Sequence, residues 1–240
     1  MLPDLSARAV AARELMDGRD ADPRMLDRTY DRFRLVNAVV SRPGRLYRRD
    51  VLPRARRGPV RILDVGAGGG DLCRRLARRL ARDGLRAEVT ALDADERATH
   101  WAAAHDDGAG VNYRCALLGD LVRAGESFDV VLSNHLLHHL TAAELPRLLA
   151  DSARLVGRAG LVAHHDIARG RAAYLLFAVA TAPFARNALA GSFIRDDGLT
   201  SIRRSYTPTE LAALAPPGWT VRRGIPARLE LRREPFDARP

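Results

Sequence analysis

The sequence predicts an α/β protein built on a doubly wound, mainly parallel sheet. Three observations carry that expectation. An apolar run, Val60-Arg61-Ile62-Leu63-Asp64-Val65, enters the turn Gly66-Ala67-Gly68-Gly69-Gly70 and leaves as an amphipathic segment from Asp71. Strand, glycine turn and helix in that order open a nucleotide-binding βαβ unit. Four further short apolar runs then alternate with helical patterns, which argues for parallel strands joined by helical crossovers. Finally, 240 residues with a hydrophobic fraction of 47% suit one α/β domain that buries a sizeable core.

Each element has its own signal. Residues from about Ser6 to Leu52 read helical, with Leu26, Tyr30 and Phe33 on one face and a break at Ser41-Arg42-Pro43-Gly44. The first strand is Arg61–Val65. In the helix after it, Leu72, Leu76 and Leu80 recur four residues apart, and Gly84 ends it. Ala87–Leu92 is the second strand, closed by Asp93, and Asp95–His105 the next helix. Val111–Cys115 and Phe128–Ser133 are the third and fourth strands. Thr141-x-x-Glu144 is a capping box opening a helix to about Val156. Leu161–His164 is the fifth strand, followed by an apolar helix over about Ala172–Ala185 and a loop over Ser192–Tyr206. Thr207-Pro208-Thr209-Glu210 is a second capping box with proline in the first turn. Trp219–Arg222 and Arg228–Leu231, joined through Gly-Ile-Pro, close the chain as an antiparallel hairpin.

The glycine turn also constrains its ligand. A dinucleotide-binding turn reads Gly-x-Gly-x-x-Gly, so after Gly66 and Gly68 a third glycine belongs at position 71. Asp71 stands there instead. A carboxylate at the opening of a helix occupies the spot where a pyrophosphate needs a bare, positive N-terminus. The pattern therefore favours a cofactor without phosphates.

Asp64-x-Gly66-x-Gly68-x-Gly70 resembles motif I of the class I S-adenosylmethionine-dependent methyltransferases. The stretch after the fourth strand, Ser133-Asn134-His135-Leu136-Leu137-His138-His139-Leu140, resembles the matching segment of the ubiquinone and menaquinone biosynthesis methyltransferases and their small-molecule relatives. Tyr30-Asp31-Arg32-Phe33, continuing through Asn37, Ser41 and Tyr47-Arg48-Arg49, looks like the helix preceding the domain in that group. The resemblance covers roughly residues 30–166. It implies a Rossmann-like sheet of seven strands with an antiparallel C-terminal hairpin, and S-adenosylmethionine as cofactor. Residues 1–57 are then an N-terminal helical cap on a methyltransferase domain over 58–240, with a substrate-covering insertion around 167–206. The segment Asp197 to Pro208 departs from the quinone enzymes and looks more like methyltransferases found beside polyketide pathways.

In such a sheet the ligand crosses the carboxyl ends of the strands. Asp93 is placed to accept both hydrogen bonds of a ribose diol, with Ala94 beside it. Asp64 is expected to face the methionine amino group, directly or through water, or else to be a buried acid bonded to the glycine turn. Gly66, Ala67 and Gly68 cradle the cofactor, Leu117 and Leu118 contact adenine unless Asp120 reaches it, and Asn134 and Tyr30 complete the set. On the acceptor side stand His135, His138, Tyr174, Phe177, Arg203 and Tyr206. The helix carrying Tyr174, Phe177 and Phe184 reads equally as core, as a homodimer face or as pocket lining. His139 and His165 are the expected general bases, since an imidazole titrates near neutrality. No metal is expected: the histidines around Asp166 lack a paired-ligand helix motif.

These residues point to methyl transfer to a hydroxyl of a small apolar acceptor, phenolic or polyketide-like, in secondary metabolism. C-methylation of a quinone or polyketide ring is the alternative within the class. A cofactor-binding partner protein without turnover is the alternative outside it. A nucleic-acid methyltransferase is disfavoured, because no Asn-Pro-Pro-aromatic motif follows the fourth strand and no cysteine is placed to attack a pyrimidine. All 39 basic residues are arginine and the net charge is +10. Arginine without lysine, with abundant alanine, points to GC-rich coding, so Arg42 to Arg57 is expected to be a solvated face. An acidic partner, a membrane surface or nucleic acid is the alternative. Cys73 and Cys115 lack metal-ligand spacing and read as small core residues of a reducing compartment. With no signal-peptide pattern, and with Ala172–Ala185 shorter than the roughly 20 residues that span a bilayer, the expectation is a cytoplasmic protein.

Overall fold

A computed structural model describes residues 3–40 and 42–235, with side chains described at all of these except 34–35 and 38–40. Seven strands form one sheet: β1 (Val60–Val65), β2 (Ala87–Asp93), β3 (Asn112–Cys115), β4 (Val130–Asn134), β5 (Leu161–Ile167), β6 (Thr220–Gly224) and β7 (Arg228–Arg233). Their spatial order is β3-β2-β1-β4-β5-β7-β6. The first five pair in parallel, and β7 lies antiparallel between β5 and β6. The chain reverses its direction of travel between β1 and β4, so a crevice opens there at the strands' carboxyl ends.

The central strands are covered on both faces, which is why they read as continuous apolar runs. In β1, Ile62 and Leu63 point to opposite faces and both are fully buried. Ile62 joins a core with Leu76, Leu80, Val89, Leu132 and Leu161. Leu63 joins the other with Leu121, Val131, Leu149, Leu211 and Leu231. The helices are α1 (Pro23–Val40), α2 (Pro43–Leu46), α3 (Leu52–Ala55), α4 (Asp71–Arg82), α5 (Glu96–Ala104), α6 (Leu118–Arg123), α7 (Leu145–Val156), α8 (Arg171–Thr181), α9 (Ile194–Arg204) and α10 (Pro208–Leu214). A π-helical stretch, Tyr47–Val51, makes α2 and α3 nearly continuous.

Four expectations are corrected. Cys73 is buried, but Cys115, expected in the core, is exposed at the end of the edge strand β3. Helix begins at Pro23, not near Ser6, because Asp22 accepts a bond from the Met25 amide (3.0 Å) and proline suits the first helical position. The preceding residues run as turns and extended chain. The expected loop Ser192–Tyr206 contains α9, whose Asp196 and Asp197 begin it and whose Arg203 and Arg204 end it, each complementing the helix dipole. The short α6 had no apolar periodicity to announce it; the Asp120 carboxylate secures its start by accepting from the Leu117 amide (2.9 Å). Both capping boxes form their reciprocal bonds, but Thr141–Glu144 closes a turn ahead of α7 while Thr207–Glu210 caps α10 directly. Ser41, in the expected break, lies outside the described residues; Arg42 beside it takes a left-handed backbone (φ 46°).

Candidate active site

A cavity of about 520 Å³ opens at the carboxyl ends of β1, β2 and β4, within the size range of small-molecule sites. Its floor is the glycine turn. The Gly66 and Ala67 amides donate to the Leu92 carbonyl (2.8 and 3.0 Å), tying the turn to the end of β2. Gly68 has φ +52°, and a Cβ there would meet nothing within 4 Å, so the turn presents bare backbone to open space.

Asp93 ends β2 and is held from two sides, Oδ2 accepting from the Gly68 amide (2.7 Å) and Oδ1 from the Asp95 amide (2.9 Å). Burial raises its pKa against those amide bonds. Each oxygen keeps a lone pair for a diol. Asp64 is buried behind the turn and does not line the cavity. Its Oδ2 accepts from the Cys73 thiol (3.4 Å), and its Oδ1 is buried without a partner. Burial pushes its carboxyl up to about 7, with the charges of Asp71 and Asp93 adding to the rise. Asp71 presents its carboxylate to the cavity and accepts from Asn37 Nδ2 (3.1 Å). Ala94, Leu117, Leu118, Asn134 and Tyr30 also line the cavity; Asp120 does not.

The far end is closed by the N-terminal segment, α1, α8 and α9. Glu14, His138 and Asp166 form a buried chain. The His138 amide and Nδ1 both bond Asp166 (2.9 Å each), and His138 Nε2 lies 3.2 Å from Glu14. Glu14 also accepts from the Ser201 hydroxyl (2.8 Å). Burial alone depresses the His138 pKa, but the Asp166 and Glu14 carboxylates overcome it and push it up to about 10. His138 is therefore a cation that fastens the N-terminal segment to the sheet, and it cannot accept a proton near neutrality. The His139 ring lies against it at a tilt of 37° (centroids 4.3 Å apart), with Nδ1 3.4 Å from Asp17. His135, at φ +61°, points Nδ1 toward Asp166 (3.7 Å). Asp197 accepts from the Leu15 and Met16 amides (2.6 and 3.0 Å), and burial pushes it up to about 6.

Of the expected acceptor-side residues, His135, His138, His139 and Phe177 line the cavity; Tyr174, Arg203, Tyr206 and His165 do not. The turn of α8 that carries Phe177 inward leaves Tyr174 half-buried elsewhere. Arg203 lies against the N-terminal segment, its carbonyl accepting from the Ala9 amide (3.0 Å). Tyr206 donates to the Leu140 carbonyl (3.0 Å) beneath the Arg8 guanidinium. His165 belongs to a separate cleft, and burial pushes it down to about 4. Its neighbour His164 bonds the Ser133 hydroxyl (2.8 Å) and stacks on Trp219. Glu14, Asp17, Asp71, Asp197 and Ser201 were not expected at the site. Asp71 had a signal, its place at the missing third glycine; the others sit in segments without a motif.

The lining has one sign of charge in excess. Glu14, Asp17, Asp71, Asp93, Asp95 and Asp197 face the cavity, and no arginine does among the described residues, in a chain of net charge +10. Such a site suits a cation. S-adenosylmethionine carries a sulfonium and an ammonium, and three features fit it: the orphaned Asp64 oxygen, the Asp71 carboxylate and the open cradle at Gly68.

Residues 62–160 match the family model described as a methyltransferase domain. The ubiquinone biosynthesis O-methyltransferase of Sinorhizobium medicae is 36% identical over 105 residues, 43% of this chain and 39% of that protein. That of Maricaulis maris is 38% identical over 120 residues, 49% and 44% of the two chains. The chain thus matches about two fifths of the length of these curated relatives. Among solved structures, an O-methyltransferase family protein from Burkholderia thailandensis superposes with a TM-score of 0.57 at 19% identity, covering 87% of this chain and 60% of that one. Magnesium protoporphyrin IX methyltransferase from Synechocystis PCC 6803, solved with bound S-adenosylmethionine, gives 0.53 at 16% identity, covering 91% and 88%. Residues 62–160 are thus similar to a methyltransferase domain, and the seven-stranded sheet shares its fold with these methyltransferase structures. The matched segment holds the glycine turn, Asp93 and the histidines after β4.

Proposed function

We propose that this chain transfers a methyl group from S-adenosylmethionine to a hydroxyl of a small, apolar acceptor. The observation that carries the reading is the carboxylate-lined cavity over a strand-glycine-helix turn, with no arginine among its described lining residues, in a chain that resembles O-methyltransferases over 105 residues. The bound cofactor supplies a methyl group made electrophilic by its sulfonium.

The chain's own residues do the rest. Asp93 takes the ribose hydroxyls, Asp71 faces the ammonium with Asp64 behind it, and Leu117 and Leu118 cover the adenine. Phe33, Leu140, Phe177 and Ile194 give the acceptor end its apolar surface. Holding the acceptor oxygen in line with the methyl and away from water supplies much of the rate. His139, whose ring nitrogens lie 3.8 Å from Glu14 and 3.4 Å from Asp17, takes the proton of the acceptor hydroxyl. Carboxylates around the acceptor disfavour one bearing its own anionic group.

The test has two parts. Calorimetry is expected to show S-adenosylhomocysteine binding, weakened by about 1–3 kcal/mol in Asp93→Ala, the scale of lost charge-assisted hydrogen bonds. Phenols and catechols incubated with ¹³C-methyl cofactor should give an O–CH₃ carbon signal. A C–CH₃ signal would reassign the methylated atom, and binding without turnover on any hydroxylated arene would reject the proposal.

A further inference from the structure

We propose that the chain carries a second binding site, a cleft on the β5–β7 side that takes the phosphate or diphosphate head of a ligand with an apolar body. Arg42, Arg45, Arg49, Arg222, Arg223 and Arg228 converge on a cleft of about 150 Å³ between α2 and the β6–β7 turn. It shares no lining residue with the cavity above. The carboxylate among its lining residues is Glu230, which both terminal nitrogens of Arg49 engage. Arg42, Arg45, Arg222 and Arg223 have no carboxylate partner among the described residues. The cleft therefore gathers far more positive charge than it neutralises. Planar guanidinium forks match phosphate oxygens two at a time.

A second observation is independent of the arginines. His165 lines the same cleft, is 8% exposed, and its Nε2 is buried without a hydrogen-bond partner. An unpaired buried imidazole nitrogen costs stability unless something bonds to it. Burial, helped by the Arg228 and Arg49 charges, outweighs the opposing Glu230 and Asp50 carboxylates and keeps this ring neutral. A neutral ring that carries its proton on Nε2 has a donor for an anion. A merely solvated arginine face gives no reason for that nitrogen to be sealed and unpartnered beneath it.

The ligand's other end has a place as well. An apolar groove formed by Ala172, Ala173, Leu176 and Pro226 shares Arg223, Gly224, Ile225 and Arg228 with the cleft. Leu176 and Ile225 are 53% and 81% exposed along it. A phosphate head in the cleft thus places an apolar chain along α8. A free alkyl phosphate and a phospholipid headgroup share this chemistry.

Titration with sodium pyrophosphate and with decyl phosphate, in chloride buffer of constant ionic strength, tests the cleft directly. We expect saturable binding of one molecule, tighter for decyl phosphate. The double variant Arg45→Glu/Arg223→Glu should lose at least tenfold in affinity while keeping S-adenosylhomocysteine affinity, which shows that the fold is intact. The ¹⁵N resonance of the His165 ring should move on saturation. Flotation with phosphatidylcholine vesicles, with and without phosphatidylglycerol, distinguishes the sources. Binding only to the anionic vesicles, lost in the double variant, assigns the head to a lipid and supports the cleft. Absence of binding in every arm, affinity unchanged in the double variant, or retention by RNA alone would overturn it.

Discussion

The His138 chain makes the sharpest prediction about stability. Its imidazole is pushed from 6.5 to about 10 by Asp166 and Glu14, and a raised pKa favours the folded state when the group is charged. The contribution is fully present below pH 6.5 and is lost as pH rises from there toward 10. At about 1.4 kcal/mol per unit, the shift corresponds to roughly 4–5 kcal/mol. That agrees with the roughly 3–5 kcal/mol cost of removing one partner from a buried ion pair. His138→Gln leaves two buried carboxylates without their cation. In urea unfolding followed by the fluorescence of Trp101 and Trp219, it is expected to cost about 4 kcal/mol at pH 6, or roughly 8–16 °C in Tm. By pH 9.5 the wild-type chain has lost most of the same term, so the difference should shrink to about 1 kcal/mol. A penalty equally large at both pH values would show that His138 acts by packing and not by charge, and would refute the ion-pair reasoning.

His139→Gln is expected to lower turnover by roughly 10²–10⁴-fold, the range for a general base, with S-adenosylhomocysteine affinity nearly unchanged; an unaltered rate would remove His139 from the chemistry. Gly68→Ala forces a side chain onto a φ of +52°, which should cost about 1–2 kcal/mol in urea unfolding. It should also weaken cofactor binding by calorimetry, because its Cβ would project into open cavity; unchanged affinity would mean that the cofactor does not approach the turn. A gel-shift series at low and physiological salt should show RNA association that fades as salt rises, since the active-site cavity, as distinct from the arginine cleft, has no arginine among its described lining residues; sub-micromolar binding at physiological salt would contradict this.

Much of the fold is legible in the sequence because it rests on local signals. The β1 run, the glycine turn and the Leu72, Leu76, Leu80 stripe need only neighbouring residues to declare strand, turn and helix, and Asp93 follows from its place after β2. The turn also discloses its ligand class, since Asp71 excludes a pyrophosphate through the charge of a single position. Elements that depend on distant contacts are not legible in this way. The Ser6 to Asp22 segment has helical composition, yet Arg8 bonds the carbonyls of Leu140 and Arg204, and Glu14 bonds His138. Those contacts across the chain outweigh local propensity. The histidines show the same limit. Sequence places His138, His139, His164 and His165 at one end of the sheet, but the alternation of β5 sends His164 to Trp219 and His165 to the arginine cleft. His138 becomes a buried cation between two carboxylates, and His139 alone of the two expected bases faces the cavity. Residue type and strand register set what each imidazole is able to do; what it does depends on which charges the fold packs against it, and those, such as Glu14 and Asp166 around His138, come from other segments of the chain.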